Sequence, residues 1–373
     1  MAGSINEGAI ETMPSDGHLL FVGTYTVRGS EGIYAFRMDP GTGDLEPVGR
    51  PAEMENPSFL AADPTGRFLY AVQENGPEGG VAAFRITPDT GELAAINRQL
   101  SHGSAPCHLS VDQTGRFVVA ANYSSGSVTV LPVGEAGELR EASCVIQHAG
   151  HGVDPERQEG PHAHSATIGP DNRRVFVADL GLDKVFVYRL DLTTGELHPN
   201  EVPWLDIHPG AGPRHMAFHP SGRLAFVINE LDSTLTSLGH DPATGALTEL
   251  QTVPTLPADF GGSSFCADVH VPPSGRFVYG SNRGHDSLAI FGVEAETGRL
   301  TPVGHEPTGG RNPRSFAIAP GGEFLLAANQ DTDDIVTFRL DGETGCLSRT
   351  GHVTRVPAPV CLCFVAATAA GRP

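Results

Sequence analysis

Short segments rich in alternating apolar residues recur along the whole chain and predict β-strands. Typical examples are GIYAFRMD, GVAAFRIT and KVFVYRLD. Alternation over four to eight residues is typical of strands that bury one face. No stretch carries a helical period of useful length, so the pattern indicates an all-β protein.

A glycine turn of the form TG-x-L follows most of these segments. It occurs seven times, at intervals of 46 to 58 residues. The seven glycines are Gly43, Gly91, Gly137, Gly195, Gly245, Gly298 and Gly345. A strand, a glycine turn that tolerates positive φ and a second strand form a hairpin. The acidic residues near these turns lack the spaced carboxylates of a calcium loop, so hairpins are the better interpretation.

A second motif precedes the hairpin in six of the repeats. It has the form P-x-x-x-apolar-x-x-P-x-G-R-F, as in NPSFLAADPTGRFLYAVQEN and APCHLSVDQTGRFVVAANY. Each copy predicts two strands around a tight turn, so the two motifs together give four strands per repeat. Seven four-stranded repeats of this length predict a seven-bladed β-propeller with four antiparallel strands per blade.

The seventh copy is divided between the two ends of the chain. PSDGHLLFVGTYT near the N-terminus repeats the second half of the motif, and APVCLCFVA at 358–366 supplies the missing first strand. We therefore predict that the C-terminal strand joins the N-terminal blade and closes the ring, which removes exposed strand edges. Residues 1–15 are then an N-terminal extension, and residues 16–373 form a single propeller domain. A β-sandwich would not explain the seven-fold count.

Composition and charge limit the partners. The formal net charge of −20 argues against nucleic acid and anionic membranes, because both need clustered cations. The N-terminus lacks the features of a signal peptide, and no apolar stretch approaches the length of a membrane span. The six cysteines include no CxxC pair and are expected to be free thiols of a reducing compartment. We expect a cytoplasmic protein, and a monomer because a closed ring needs no partner strand.

Aligning the blades selects the side chains around one mouth of the channel. The start of each first strand and the end of each second strand lie together, because the two strands are antiparallel neighbours. The first-strand position holds Ser58, Cys107, His164, Arg214, Ala267 and Arg314. The second-strand end holds Glu74, Tyr123, Leu180, Glu230, Arg283 and Gln330, with Tyr25 from the closing blade.

The charged members of these two sets are the candidates for chemistry. Arg214, Arg283 and Arg314 can form a receptor for a carboxylate or a phosphate, since guanidinium groups offer paired donors. Glu230 or His164 could act as a general acid or base, provided that burial brings its pKa near neutrality. A purely structural ion pair between Arg283 and Glu230 is the alternative interpretation.

The longest insertion between blades, QHAGHGVDPERQEGPHAH, carries four histidines at 148, 151, 162 and 164. Its length favours a rim or lid over the mouth. The histidines lack the fixed spacing of metal ligands, so we expect no metal and no cofactor. His215 should point away from Arg214 as a buried structural residue, and His285 fits either a rim or a turn. No GxSxG, P-loop or HExxH motif is present.

Several segments, taken in order, resemble the seven-bladed propeller lactonase family. They are FVGTYT, QEGPHAHS, VADLGLDKVFVYRLD, GAGPRHMAFHPSGR, VINELDSTLT and SNRGHDSLAIF. The family includes propeller-type 6-phosphogluconolactonases and fungal 3-carboxy-cis,cis-muconate lactonizing enzymes. The resemblance implies a site of one histidine, two arginines and one glutamate. These fall on His164, Arg214, Arg283 and Glu230, with His162 as the alternative histidine.

The resemblance implies a lactone hydrolase for a sugar-acid lactone such as 6-phosphogluconolactone. Cycloisomerisation of 3-carboxymuconate is the alternative within the family, and a non-catalytic binding scaffold is a third hypothesis. The single tryptophan lacks the GH…WD context of scaffold propellers, and a charged mouth favours small molecules. We therefore expect an anionic lactone or carboxylate substrate. The expected substrate-binding residues are His162, Arg314, Glu74, Tyr123, Gln330 and His285.

Overall fold

The computed structural model describes residues 17–77 and 79–365, so the N-terminal extension and the end of the domain predicted at 373 lie outside the described residues. The described residues form 29 strands and no helix. They accordingly contain no helix that is long and apolar enough to span a membrane.

The first four blades in chain order begin with the one that contains the N-terminal strands. Its strands are β1 (His18–Thr24), β2 (Gly32–Met38), β3 (Leu45–Pro47) and β4 (Ala52–Glu53). The second blade contains β5 (Leu60–Ala62), β6 (Phe68–Gln73), β7 (Gly80–Ile86) and β8 (Leu93–Leu100). The third contains β9 (Pro106–Val111), β10 (Phe117–Asn122), β11 (Ser127–Pro132) and β12 (Cys144–Gln147). The fourth contains β13 (Ala163–Ile168), β14 (Arg174–Asp179), β15 (Lys184–Leu190) and β16 (Leu197–Asp206).

The last three blades follow the same order from first to fourth strand. The fifth blade contains β17 (Pro213–Phe218), β18 (Leu224–Asn229), β19 (Thr234–His240) and β20 (Leu247–Pro254). The sixth contains β21 (Phe265–His270), β22 (Phe277–Arg283), β23 (Ser287–Val293) and β24 (Leu300–Pro307). The seventh contains β25 (Pro313–Ile318), β26 (Phe324–Asn329), β27 (Asp334–Leu340) and β28 (Leu347–Arg355), and β29 (Pro359–Val365) follows it.

The ring closes as the sequence predicts. Strand β29 pairs antiparallel with β1, with Leu19 opposite Val365 and Val22 opposite Leu362. The first blade therefore has the order β29-β1-β2-β3, and β4 continues its outer edge against β2. All seven sheets are antiparallel, which confirms the seven-bladed propeller.

The two sequence motifs contact each other between neighbouring blades. A Cβ added to Gly137 in the third blade would lie 2.3 Å from the Phe68 ring of the second blade. A Cβ on Gly43 would lie 2.6 Å from Phe324, across the closure of the ring. Both glycines have positive φ, and no side chain fits between these turns and the aromatic rings. The contact explains why both motifs recur with the same period.

A β-bulge interrupts the first strand of several blades at the same place. On β13, Ala163 and Ser165 pair with consecutive residues of β14, which leaves His164 without a backbone partner. Arg214 on β17 and Arg314 on β25 lie in the same position. A bulge changes the direction in which its side chain points. These strands therefore present one side chain each to the axis of the propeller.

Candidate active site

A cavity of about 270 Å³ lies where the first strands start and the second strands end. Its lining consists of Glu74, Cys107, Tyr123, Arg157, His164, Glu230, Phe265, Arg283 and Arg314. Seven of these nine residues are the ones that the blade alignment selects, the exceptions being Arg157 and Phe265. Arg214 lies directly behind them and is only 2% exposed.

Glu230 is the centre of the charged groups in this cavity. Its Oε2 accepts a hydrogen bond from Arg214 Nε at 2.9 Å and forms an ion pair with Arg283 Nη2, also at 2.9 Å. Its Oε1 accepts a hydrogen bond from Arg157 Nη2 at 2.6 Å. Burial opposes ionisation, but Arg283, Arg214 and Arg157 outweigh it and lower the pKa of Glu230 to about 2. Glu230 is therefore an anion at neutral pH, and the expected pairing with Arg283 is present.

His164 lies beside this carboxylate. Its Nε2 is 4.0 Å from Glu230 Oε2, and its ring packs edge-on against Tyr123. Burial, together with the charge of Arg214, keeps the pKa of His164 well below its usual value. The imidazole is therefore neutral at pH 7. The expected condition, a pKa near neutrality for Glu230 or His164, is wrong, because burial and the converging arginines move both pKa values down.

The opposite side of the cavity contains a second carboxylate. Glu74 Oε2 accepts hydrogen bonds from Tyr25 Oη at 3.0 Å and from the Ser58 hydroxyl. The Arg314 guanidinium lies 5.4 Å from the centroid of the Tyr25 ring. Among the described residues, no group accepts a hydrogen bond from the Arg314 side chain. The Arg314 side chain therefore lines the cavity with no acceptor among the residues that the structure describes.

The insertion between the third and fourth blades reaches the cavity through Arg157. The neighbouring Gln158 is fully buried and holds the loop in place: its Nε2 donates to the Leu180 carbonyl at 2.8 Å and to Asp183 Oδ1 at 2.7 Å. Arg157 also lies 3.5 Å from the Tyr123 hydroxyl. The blade alignment misses Arg157 because the insertion has no counterpart in other blades. The available signal is that Arg157 is the one arginine of the insertion.

Three of the expected substrate-binding residues do not line the cavity. His162 stacks on Tyr123, with ring centroids 4.5 Å apart, and its Nδ1 lies 3.0 Å from the Tyr123 carbonyl oxygen. His285 Nδ1 lies 2.6 Å from Ser287 Oγ in the turn after β22. The backbone carbonyl of Gln330 accepts a hydrogen bond from Arg28. Tyr123 lines the cavity, and His162 packs on it without lining the cavity itself. His285 and Gln330 are also not among the residues that line the cavity.

Metal-binding potential is limited in the part of the chain that the structure describes. No three histidine, cysteine, aspartate or glutamate side chains there are arranged to hold a metal ion. His148 instead pairs with Asp179, with Nδ1 at 2.6 Å from Oδ2, and its Nε2 lies 3.0 Å from the Tyr188 hydroxyl. The first histidine of the insertion therefore has a structural role against the fourth blade.

A seven-bladed ring whose mouth holds a buried histidine, a glutamate and converging arginines defines a propeller enzyme of the lactonase class. The family described as Lactonase, 7-bladed beta-propeller, matches residues 19–364, and the chain belongs to this family. The chain is 41% identical over 301 residues to a 6-phosphogluconolactonase of Bacillus subtilis, covering 80% of this chain and 84% of that protein. The expected lactonase is thereby confirmed.

Two further similarities agree with this assignment. A 6-phosphogluconolactonase of Formosa agariphila is 34% identical over 311 residues, covering 80% of this chain and 86% of that protein. The solved structure of a periplasmic gluconolactonase from Pseudomonas aeruginosa matches with a TM-score of 0.89 and 36% identity, covering 94% of this chain and 99% of that one. The first match covers four fifths of the chain and the second covers nearly all of it.

Proposed function

We propose that the protein hydrolyses the lactone of a phosphorylated sugar acid, 6-phosphogluconolactone, to the open-chain acid. The observation that carries this proposal is a neutral His164 beside an ionised Glu230 in a cavity rich in arginine. Four arginines face two carboxylates around this cavity, so it suits an anionic substrate. The names of the Bacillus subtilis and Formosa agariphila relatives support the substrate.

His164 is the proposed general base. Its low pKa keeps Nε2 unprotonated at neutral pH, ready to accept a proton from an attacking water. The water oxygen bonds to the lactone carbonyl carbon while its proton passes to Nε2. The carboxylate of Glu230, 4.0 Å away, stabilises the imidazolium that forms, as a carboxylate does in other histidine-based sites.

The arginines stabilise the negative charge that develops on the carbonyl oxygen and hold the substrate's phosphate. Collapse of the tetrahedral intermediate breaks the bond between the carbonyl carbon and the ring oxygen. The ring oxygen takes the proton from His164 and becomes a hydroxyl group, and the new carboxylic acid loses its proton to solvent. His164 is then neutral again and Glu230 stays ionised throughout.

The test is an assay of the purified protein with 6-phosphogluconolactone, glucono-δ-lactone and 3-carboxymuconate. We expect turnover of the phosphorylated lactone, and a loss of kcat on the order of 10²-fold or more in His164→Gln. His151→Gln is a matched control, because His151 is exposed in the insertion. Turnover of 3-carboxymuconate alone would favour the cycloisomerase, and turnover of none would contradict the proposal. Loss of activity in EDTA would contradict a metal-free site.

We also propose that the enzyme is a monomer of the cytoplasm. The pairing of β29 with β1 supports the first statement, since it leaves the ring closed. The six cysteines are free thiols, which supports a reducing compartment. Light scattering and cell fractionation test the two statements. A dimer, or recovery with the periplasm as for the Pseudomonas aeruginosa protein, would contradict them.

A further inference from the structure

We propose that His215 and Asp268, which lie outside the cavity lining, are positioning residues that hold the guanidinium of Arg214 in its working orientation. The inference rests on the proposed function, in which Glu230 stabilises the His164 imidazolium and Arg214 holds that carboxylate in place. From its place on the strand, His215 is expected to be a buried structural residue. The hydrogen bonds around it give it a more specific role.

Asp268 is buried, with 5% of its surface exposed, and its two oxygens are surrounded by donors. Oδ1 lies 2.9 Å from His215 Nδ1 and accepts from the Val269 amide at 3.0 Å. Oδ2 accepts from the Ser315 hydroxyl and lies 3.1 Å from His270 Nε2. Burial opposes ionisation of Asp268, but the two histidines outweigh it and keep its pKa well below the usual value. Asp268 is therefore an ionised carboxylate that accepts and does not donate.

An acceptor at Asp268 determines which nitrogen of His215 carries the proton. Nδ1 must donate to Asp268, so in a neutral imidazole Nε2 has a free lone pair. Arg214 Nη1 lies 3.1 Å from that Nε2 and donates to it. Burial, reinforced by the charge of Arg214, lowers the pKa of His215 to about 4, so the acceptor persists at neutral pH.

Two further histidines pack against His215. The rings of His108 and His164 pack edge-on against it, with centroids 5.3 and 5.4 Å away. Burial keeps the pKa of both neighbouring histidines well below the usual value. His215 is thus a neutral hydrogen-bond acceptor within a tightly packed group of rings.

Arg214 depends on side-chain contacts for its orientation because it lies on the bulge of β17. Pro213 and His215 pair with consecutive residues of β18, and Arg214 has no backbone partner there. Its Nε donates to Glu230, while Nη1 donates to the Ala267 carbonyl and to His215. If His215 Nε2 is removed, Arg214 Nη1 keeps only the Ala267 carbonyl as an acceptor, and the guanidinium can shift. A shift of this kind displaces the Nε that holds the Glu230 carboxylate beside His164.

His215→Phe is the first variant, since it keeps a ring of similar size and removes both nitrogens. We expect kcat to fall by about 10- to 100-fold with little change in KM, because a displacement near 1 Å has effects of this order. The matched control is His198→Phe, because His198 is an exposed histidine of β16 that makes no contact with Asp268 or Arg214 among the described residues. We expect the control to keep kcat within about twofold of the wild type.

A double-mutant cycle separates positioning from general destabilisation. If His215 acts through Arg214, adding His215→Phe to Arg214→Met causes no further loss of kcat. An equal loss in both backgrounds would overturn the inference. If Arg214→Met itself has no effect, the proposed function is at fault and not the positioning step.

A second test uses NMR on the wild-type protein, so it requires neither an activity assay nor a folded variant. Nitrogen chemical shifts of the wild-type imidazole report which nitrogen carries the proton. We expect His215 at pH 7 to show a protonated Nδ1 and an unprotonated Nε2. A proton on Nε2 would overturn the inference even if every kinetic result agreed with it.

Discussion

Replacing Glu230 by glutamine removes the negative charge on which three arginines converge. Arg283, Arg214 and Arg157 outweigh the effect of burial and lower the pKa of Glu230 from 4.5 to about 2. At roughly 1.4 kcal/mol per pKa unit, this difference corresponds to about 3 kcal/mol of folding free energy at neutral pH. The glutamine variant cannot make this contribution, and it leaves the three arginines without their counter-charge.

The lowered pKa also predicts how the effect of Glu230→Gln on stability changes with pH. A lowered pKa stabilises the folded state fully above pH 4.5, and the stabilisation is lost as the pH falls toward about 2. The glutamine side chain does not titrate. The difference in unfolding free energy between wild type and Glu230→Gln should therefore be constant from pH 7 to pH 5 and should decrease below pH 4.5.

Urea unfolding followed by circular dichroism at several pH values measures this difference. Glu156→Gln is the matched control, because Glu156 is exposed in the insertion, and its effect should stay within about 0.5 kcal/mol. A difference for Glu230→Gln that is the same at pH 3 as at pH 7 would refute the reasoning. In that case the arginines do not hold the carboxylate in its ionised form.

Three further predictions follow from the same contacts. Because the pKa of His164 lies well below 6.5, initial rates at saturating substrate should give a constant kcat from pH 7.5 to 6, and a fall of kcat centred near pH 6.5 would contradict this. Arg157→Met should raise KM about tenfold, the effect of one charged hydrogen bond; an unchanged KM would remove Arg157 from the site. Gly137→Ala should lower the free energy of unfolding by about 1–3 kcal/mol, since its Cβ would meet the Phe68 ring. Gly76→Ala, with open space around it, should leave the free energy unchanged, and denaturant unfolding of both variants measures the difference.

The fold could be predicted from the sequence because the contacts between blades are themselves repeated. The glycine of one hairpin packs on the aromatic residue of the neighbouring blade, as Gly137 does on Phe68. Each motif therefore has to recur wherever the other does, and the period becomes visible without an alignment of relatives. The same reasoning predicts that the C-terminal strand closes the ring, since the missing strand of the seventh copy is found at the other end of the chain, and the structure pairs Leu19 with Val365 there.

The site could be predicted in part for a related reason. Blade alignment works for His164, Arg214 and Arg314 because the bulge lies at the same point of each first strand. It also separates His164 from His162, which precedes the strand and stacks on Tyr123 instead of entering the cavity. The insertion has no counterpart in the other blades, so the blade alignment could not show that Arg157 reaches the cavity.

The pKa values could not be predicted from sequence because they depend on how many charges meet at one point. Desolvation alone would raise the pKa of Glu230, which is the direction that the sequence analysis assumed. Three guanidinium groups from three different elements reverse that direction. One of the three, Arg157, comes from the unaligned insertion, so the count of charges was not available without the structure.

The bulge position also explains how one repeat can build an asymmetric site. A bulged residue has no backbone partner, so its side chain can differ between blades while the hydrogen bonds of the sheet are kept. The sixth blade has Ala267 there, and its buried carbonyl accepts from Arg214 Nη1, while Arg283 of the same blade reaches Glu230 from the second strand. The sixth blade thus contributes a backbone carbonyl at the position where the fourth, fifth and seventh blades contribute the side chains of His164, Arg214 and Arg314.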